Sequence, residues 1–320
     1  MKVVVTGAAG FIGSNLCEGL ADNGCEVLGI DSFSNYYSRE LKELNARKVG
    51  EKGIEVVRMD LAEDDLNDIV EQAQVVYHLA AQPGISASIP FEAYVRNNIT
   101  ATQRLLDALL RSSALRCLAN ISSSSVYGAR ATDAETAAPQ PTSYYGVTKL
   151  SAEQLALAYC RNWGLPACSL RLFSVYGPRE RPDKLYTRLI RSILDGSDFP
   201  LYEGSEKHSR SFTFVGDVVE ALVSILDQLD VCIGEIFNIG SDRETTTGEA
   251  IDVVEGILGR KARKVAMPAR RGDQVRTHAN IDKSRRMLGY DPKTPLEEGL
   301  RKQVEWFKTE VHGKLDLSGQ

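Results

Sequence analysis

The sequence predicts an α/β chain: a Rossmann-type doubly wound parallel sheet followed by a smaller C-terminal lobe. Three observations predict it. Apolar runs alternate with helical periods through the first half, a glycine-rich turn separates the first run from the first helix, and the alternation stops after residue 174. Short apolar runs between amphipathic helices are what parallel strands covered on both faces require. Beyond residue 174, Pro178, Pro182, Pro200 and Gly204 punctuate the chain and predict a loop-rich second lobe.

The elements follow in order. A first strand, Val3 to Thr6, leads into Gly7-Ala-Ala-Gly10-Phe-Ile-Gly13, then an amphipathic stretch through Leu20, then a second strand, Glu26 to Ile30, closed by Asp31. Glycines at 7, 10 and 13 let the backbone approach a pyrophosphate, whose charge is favoured at a helix N-terminus. Asp31 can accept both ribose hydroxyls of NAD and would repel a 2′-phosphate. The next residues, Ser32-Phe-Ser-Asn, offer no arginine to receive one, so NAD is expected rather than NADP. A third strand, Ile54 to Met59, ends at Asp60, which fits the adenine side and a plain turn carboxylate equally. The fourth, Val75 to Leu79, carries His78 at its end.

A helix over Tyr94 to Ser112 and a fifth strand, Cys117 to Ile121, precede the hydroxyl run Ser122 to Ser125. Next comes a helix over Tyr145 to Trp163, opening on Tyr145-Gly-Val-Thr-Lys149, and a sixth strand, Ala167 to Phe173. A lysine one turn after a tyrosine shares its face, so the ammonium can favour the phenolate and make it a working base. Later helices are expected over about 247 to 258 and 296 to 310. Ligands of open parallel sheets lie beyond the carboxyl strand ends, where the glycine turn, the serines and the tyrosine converge.

Composition narrows the classes. A chain of 320 residues can bury a large core, and a net charge of −5 gives no general attraction to nucleic acid or anionic membrane. No apolar run approaches the ~20 residues of a membrane span, and the first strand begins at Lys2 with no signal segment before it, so a cytoplasmic enzyme is expected. Six cysteines lack Cys-x-x-Cys spacing and read as reduced buried thiols, and four histidines form no metal-ligand pattern, so no metal is expected.

The motifs together resemble the extended short-chain dehydrogenase/reductase family, and within it the nucleotide-sugar epimerases. They are Thr6-Gly7-Ala-Ala-Gly10-Phe-Ile-Gly13, His78-Leu-Ala-Ala81, Asn97-Asn98, Ser122-Ser-Ser-Ser-Val-Tyr-Gly128, Tyr145 with Lys149, Tyr176-Gly-Pro178 and Arg210-Ser-Phe-Thr-Phe-Val-Gly-Asp217. The resemblance implies a tightly held NAD, hydride removal from sugar C4, a 4-keto sugar that turns over in the site, and hydride return to its other face. It assigns Tyr145 and Lys149 to the proton step and to the nicotinamide ribose, and Ser123 to the substrate oxygen, leaving Ser122 as a strand-end cap. By the same carry-over Phe11, Ile12, Leu61, Leu79, Ala80, Ala81 and Asn97 line the NAD channel. It also implies an NAD-binding domain over 1–173 with a returning segment about 212–240, a nucleotide-sugar-binding lobe over 174–211 and 241–320, and a homodimer built on the helices at Tyr94 to Ser112 and Tyr145 to Trp163.

Reaction and substrate are implied by departures within that family. Sugar 4,6-dehydratases carry Asp-Glu where this chain has Ser124-Ser125, and UDP-glucuronate decarboxylases usually place glutamate at Ser125, so C4 epimerisation remains. The Asn35-Tyr-Tyr segment and Tyr176-Gly-Pro-Arg-Glu-Arg-Pro-Asp183 resemble UDP-glucuronate 4-epimerases, in which Arg181 would face the sugar carboxylate and Ser174 is a small hydroxyl where many hexose epimerases have asparagine. Guanidinium binds carboxylate bidentately, which suits an acid sugar. Arg210 and Arg270 match diphosphate-binding arginines, with Arg271 an equally placed alternative, and Asp273 matches a uridine-ribose acceptor. Ser211 stands where the family commonly has aspartate. UDP-glucose or UDP-N-acetylglucosamine epimerisation, decarboxylation, and a 4-keto-sugar reductase that releases its cofactor each cycle stay open as alternatives. So does a cofactor-binding sensor without turnover, although such proteins tend to lose the tyrosine or the lysine.

Overall fold

The computed structural model describes residues 1–84, 89–269 and 274–317. Seven parallel strands form the central sheet: β1 (Lys2–Thr6), β2 (Glu26–Asp31), β3 (Glu55–Arg58), β4 (Val75–His78), β5 (Cys117–Ser123), β6 (Ala167–Leu172) and β7 (Ile236–Ile239). Their order across the sheet is β3-β2-β1-β4-β5-β6-β7. The order in which successive strands are added reverses between β1 and β4, and that switch point opens a crevice at the carboxyl ends. Alternate residues feed opposite layers: Val3 and Val5 pack into one core with Leu16 and Leu222, while Val4 enters the other with Leu105 and Leu109. Both faces of the sheet are covered, as the near-continuous apolar runs require. Six strands were legible from those runs, and β7 is an addition that the short Ile236–Ile239 run did not announce.

The helix over Tyr144–Trp163 is capped by Ser143, whose side chain accepts from the Gly146 amide at 3.1 Å, and ends on a left-handed Gly164. The expected helix over Tyr94 to Ser112 is divided. It runs Phe91–Tyr94 as α, Val95–Thr100 as a widened π turn, and Ala101–Leu109 as α again. Among the described residues no helix is long and apolar enough to cross a membrane.

After β6 the chain is less irregular than its prolines suggest. A helix over Leu185–Asp195 buries Tyr186, Leu189, Ile190 and Ile193 at three- and four-residue spacing. It packs in a third core with Phe199, Ile251, Leu300 and Phe307 from the helices Thr247–Leu258 and Leu296–Trp306 and their neighbours. Short strands complete this region: Arg130–Ala131, Arg276–Thr277, Ser209–Arg210 and Thr245–Thr246 form one four-stranded sheet. Two residues from the first half, Arg130 and Ala131, thereby join three strands from the second.

Candidate active site

A continuous cleft of about 1110 Å³ lies over the carboxyl ends of β1, β2, β4 and β5. Its floor is the glycine turn. Gly7 has φ +73°, and a Cβ there would sit 2.9 Å from the Ala80 amide; a Cβ at Gly13 would lie 2.1 Å from the Gly7 carbonyl oxygen. Glycine is therefore required at both positions, by backbone angle at one and by space at the other. The helix over Phe11–Asp22 begins beside this turn with no side-chain cap and no acid in its first turn. Its exposed amides fit an anion.

Asp31 ends β2 on the cleft wall, where its Oδ2 accepts from the Ala9 amide at 3.1 Å and its Oδ1 from the Phe33 amide at 2.8 Å. Each oxygen keeps lone-pair capacity for a ribose hydroxyl. Phe11, Ile12, Leu61, Leu79, Ala80, Ala81 and Asn97 line the cleft as well. Asp60 also lines the cleft, as a turn carboxylate: its Oδ1 accepts from Ala62, and Arg96 pairs with its Oδ2 at 3.0 Å. Nothing local in sequence announces Arg96, which arrives from the π turn. That turn also points Asn98 inward, where its side chain bonds both the Gln82 backbone and Thr148 Oγ1, at 2.6 to 3.2 Å. His78 is buried between Thr6 and Thr102, and burial, with Lys149 nearby, pushes it down to about 3. It is a neutral structural link.

Ser123, Tyr145 and Lys149 meet on the cleft wall. Gly146 makes this possible, because a Cβ there would lie 2.6 Å from the Ser125 carbonyl oxygen and push the helix off the serine turn. Burial raises the Tyr145 hydroxyl above its usual range, opposed by a hydrogen bond with Ser123 and by the positive charge of Arg181. Burial pushes the Lys149 ammonium down to about 8, opposed by Glu153 one turn further on. Glu153 in turn is held by Arg171, with contacts of 3.0 and 2.6 Å and both side chains buried. Ser123, not Ser122, caps the short helix Ser124–Tyr127: its Oγ accepts from the Ser125 amide at 3.1 Å, while Ser122 Oγ has no partner among the described residues. One hydroxyl accepts that bond and still has capacity for Tyr145.

At the far end stand Ser124, Ser174 and Arg181. Ser174 adopts φ +27°, a left-handed angle uncommon for serine. Arg181 is already engaged, with Nε and Nη2 each 3.1 Å from the two Asp183 oxygens and its guanidinium carbon 5.7 Å from the Tyr36 ring centroid. Burial works against that guanidinium, yet Asp183 holds its pKa above the usual arginine range. Two expected residues lie elsewhere. Ser125 is buried in the short helix and off the cleft wall, since successive residues of a tight turn point in different directions. Arg210 lines an adjoining cavity of about 220 Å³ that shares Ser174 and Tyr202 with the cleft. Arg270, Arg271 and Asp273 lie outside the described residues. Sequence reading missed Asp183 as the Arg181 partner, and also Gln274, which reaches the serine turn from the second lobe.

Known proteins are similar to this chain in sequence and fold. Residues 3–240 match the model of the NAD dependent epimerase/dehydratase family. An uncharacterised UDP-glucose epimerase, YtcB, of Bacillus subtilis is 37% identical over 98% of this chain and 100% of its own length. UDP-glucuronate 4-epimerase 1 of Arabidopsis thaliana is 35% identical over 96% of this chain and 76% of its own. A crystal structure of UDP-glucuronic acid 4-epimerase from Bacillus cereus, in complex with UDP-glucuronic acid and NAD, superposes with a TM-score of 0.91 at 38% identity, covering 96% of this chain and 99% of that one. With its seven-stranded sheet, glycine cradle and Ser-Tyr-Lys wall, the chain belongs to the NAD dependent epimerase/dehydratase family.

Proposed function

We infer that the protein is an NAD-dependent UDP-sugar 4-epimerase that interconverts UDP-glucuronate and UDP-galacturonate. One observation carries the reading: a single cleft joins the glycine cradle and Asp31 at one end, Ser123, Tyr145 and Lys149 in the middle, and Ser174 with Arg181 at the other. The Arabidopsis thaliana and Bacillus cereus relatives, named for UDP-glucuronate, support the same substrate, while the Bacillus subtilis relative is named for UDP-glucose.

Bound NAD supplies the acceptor for the C4 hydride and, once reduced, its donor. The chain's own residues do the rest. The Gly7 to Gly13 turn and the helix amides behind it hold the pyrophosphate, and Asp31 accepts the ribose hydroxyls. Tyr145 takes the C4 hydroxyl proton and later returns it, with Ser123 bonded to the same oxygen. Lys149, one turn on, favours the phenolate and bonds the nicotinamide ribose. Arg181, Ser124 and Ser174 face the sugar carboxylate, and Arg210, Arg270 and Asp273 serve the UDP group. A 4-keto uronic acid is a β-keto acid that loses carbon dioxide when its carboxylate stands perpendicular to the carbonyl plane. Holding the carboxylate therefore protects the intermediate as well as selecting the substrate.

The cofactor half takes residues 1–173 with the return over 212–240, and the sugar lobe takes 174–211 and 241–320. A homodimer is supported by exposed Val147 and Trp163 on one of the helices expected to pair, and by exposed Phe91 and Tyr144 just before the two. All six cysteines are free, which supports a reducing, cytoplasmic setting. A neutral UDP-hexose is the second reading, favoured by Asp183 already occupying Arg181. Proton NMR of the purified protein with UDP-glucuronate, UDP-glucose and UDP-N-acetylglucosamine in turn decides between them. Arg181→Ala is expected to cut turnover of UDP-glucuronate by about 10- to 100-fold, the loss of a charged hydrogen-bond pair, and to spare UDP-glucose. Equal losses on both would remove the carboxylate role.

A further inference from the structure

We propose that Gln274 is a positioning residue that holds the sugar-facing serine turn and joins it to Arg210, the arginine of the nucleotide arm. The inference rests on the epimerase reading and adds a residue that neither the motifs nor the hydride chemistry assigns.

The geometry is specific. Gln274 sits on the cleft wall, and its Nε2 donates to the Ser124 carbonyl at 3.2 Å and to the Gly128 carbonyl at 2.9 Å. Two carbonyl partners can be satisfied only by the amide nitrogen, so the orientation of the side chain is fixed. Its Oε1 is then left toward Ser124 Oγ, 3.5 Å away, a long contact that the hydroxyl can leave at little cost when an acceptor enters the cleft. The Gln274 main-chain carbonyl meanwhile accepts from Arg210 Nη1. A single residue thus touches the serine turn with its side chain and the arginine with its backbone.

The surrounding chain keeps Gln274 in reach. The Val275 amide donates to the Ala129 carbonyl at 2.9 Å, and Arg276 pairs in parallel with Arg130, so the second lobe is sewn to the first directly behind the turn. Gly128 has φ +87°, and a Cβ there would meet the Gln140 carbonyl at 2.2 Å, which fixes the turn from its other side. The turn is held between Gln140 and Gln274. Ser211, where an aspartate is common after this arginine, spends its own hydroxyl on the Ser241 carbonyl. The Gln274 carbonyl is therefore a contact that orients Arg210 here.

The test is a double-mutant cycle on the full chain with NAD: wild type, Gln274→Leu, Ser124→Ala and both, read on whichever UDP-sugar the wild type converts. That choice lets the identity of the sugar and the role of Gln274 fail separately. Gln274→Leu is expected to lower kcat about tenfold, with bound NAD unchanged and only a small fall in thermal stability from the two carbonyls left without a donor. In the Ser124→Ala background the same change should cost less than about threefold, because the held turn acts on the sugar through the Ser124 hydroxyl, which that background lacks. Gln274→Ala, which leaves only open cleft, serves if the leucine variant folds poorly. Equal losses in both backgrounds, or wild-type kcat in both single Gln274 variants, would overturn the proposal. So would a loss of kcat that merely tracks loss of thermal stability.

Discussion

The two ends of the cleft are built in different ways. The glycine cradle of the cofactor end is made of neighbours in sequence: strand, glycine turn, helix and Asp31 lie within the first 31 residues, and the turn's geometry is set by where a Cβ cannot go. The sugar end is made of polar pairs, set across segments or within a loop. Ser124 meets Gln274 from the far lobe, Arg181 meets Asp183 two residues on, and Arg210 in the adjoining cavity reaches the Gln274 carbonyl. A site fixed by sterics tolerates no added atom, whereas one fixed by polar pairs can lose a member and adjust.

Three measurements test that contrast, beginning with the largest expected effect. Gly13→Ala should cost about 3 kcal/mol of stability and abolish copurification of NAD, because a Cβ 2.1 Å from a backbone oxygen forces the turn open. Retention of NAD with an unchanged melting temperature would break the steric account. The second is pH dependence. Lys149 is held down to about 8, so the folded protein carries a cost for its charge below pH 8 that is relieved as pH rises toward the ordinary 10.5. Above pH 8 the ammonium is lost, and kcat/KM should fall about tenfold per pH unit. A flat profile from pH 7 to 10 would remove the charged lysine from the mechanism.

The smallest effect belongs to the lobe. Arg276 bonds Glu244 at 2.7 Å and holds its carboxyl down to about 2. A depressed carboxylate stabilises the fold above its ordinary pKa of 4.5 and loses that contribution as pH falls toward 2. With Arg276 half exposed, solvent screening keeps the gain small. Arg276→Ala should cost at most about 1 kcal/mol at pH 7, shrinking toward nothing in acid, as read by urea unfolding at several pH values. A loss as large as that of Gly13→Ala would erase the distinction between the two ends.

The same contrast explains what could be read from sequence. Six strands, the glycine turn, Asp31 and the Tyr145–Lys149 pair follow from period and local spacing, whereas the choice of Ser123 comes from the family resemblance. Strand β7 did not, since Ile236-Phe-Asn-Ile is too short a run to separate from a loop. The helix over Leu185–Asp195 had its signal in Tyr186, Leu189, Ile190 and Ile193, but the surrounding prolines masked it. The cap at Ser123 rather than Ser122 depends on which hydroxyl faces the Ser125 amide, a matter of one backbone angle. Arg96 on Asp60, Asp183 on Arg181 and Gln274 on Ser124 are long-range or loop-set pairings with no period to reveal them.

Arg181 carries a consequence of its own. A guanidinium already neutralised by Asp183 does not draw anions from a distance; it offers an incoming group direction instead of net charge. Recognition at that position becomes an exchange of partners within a fixed charge balance. On the proposed reading, selectivity there is set by the shape and reach of the arriving carboxylate, and should be nearly indifferent to ionic strength.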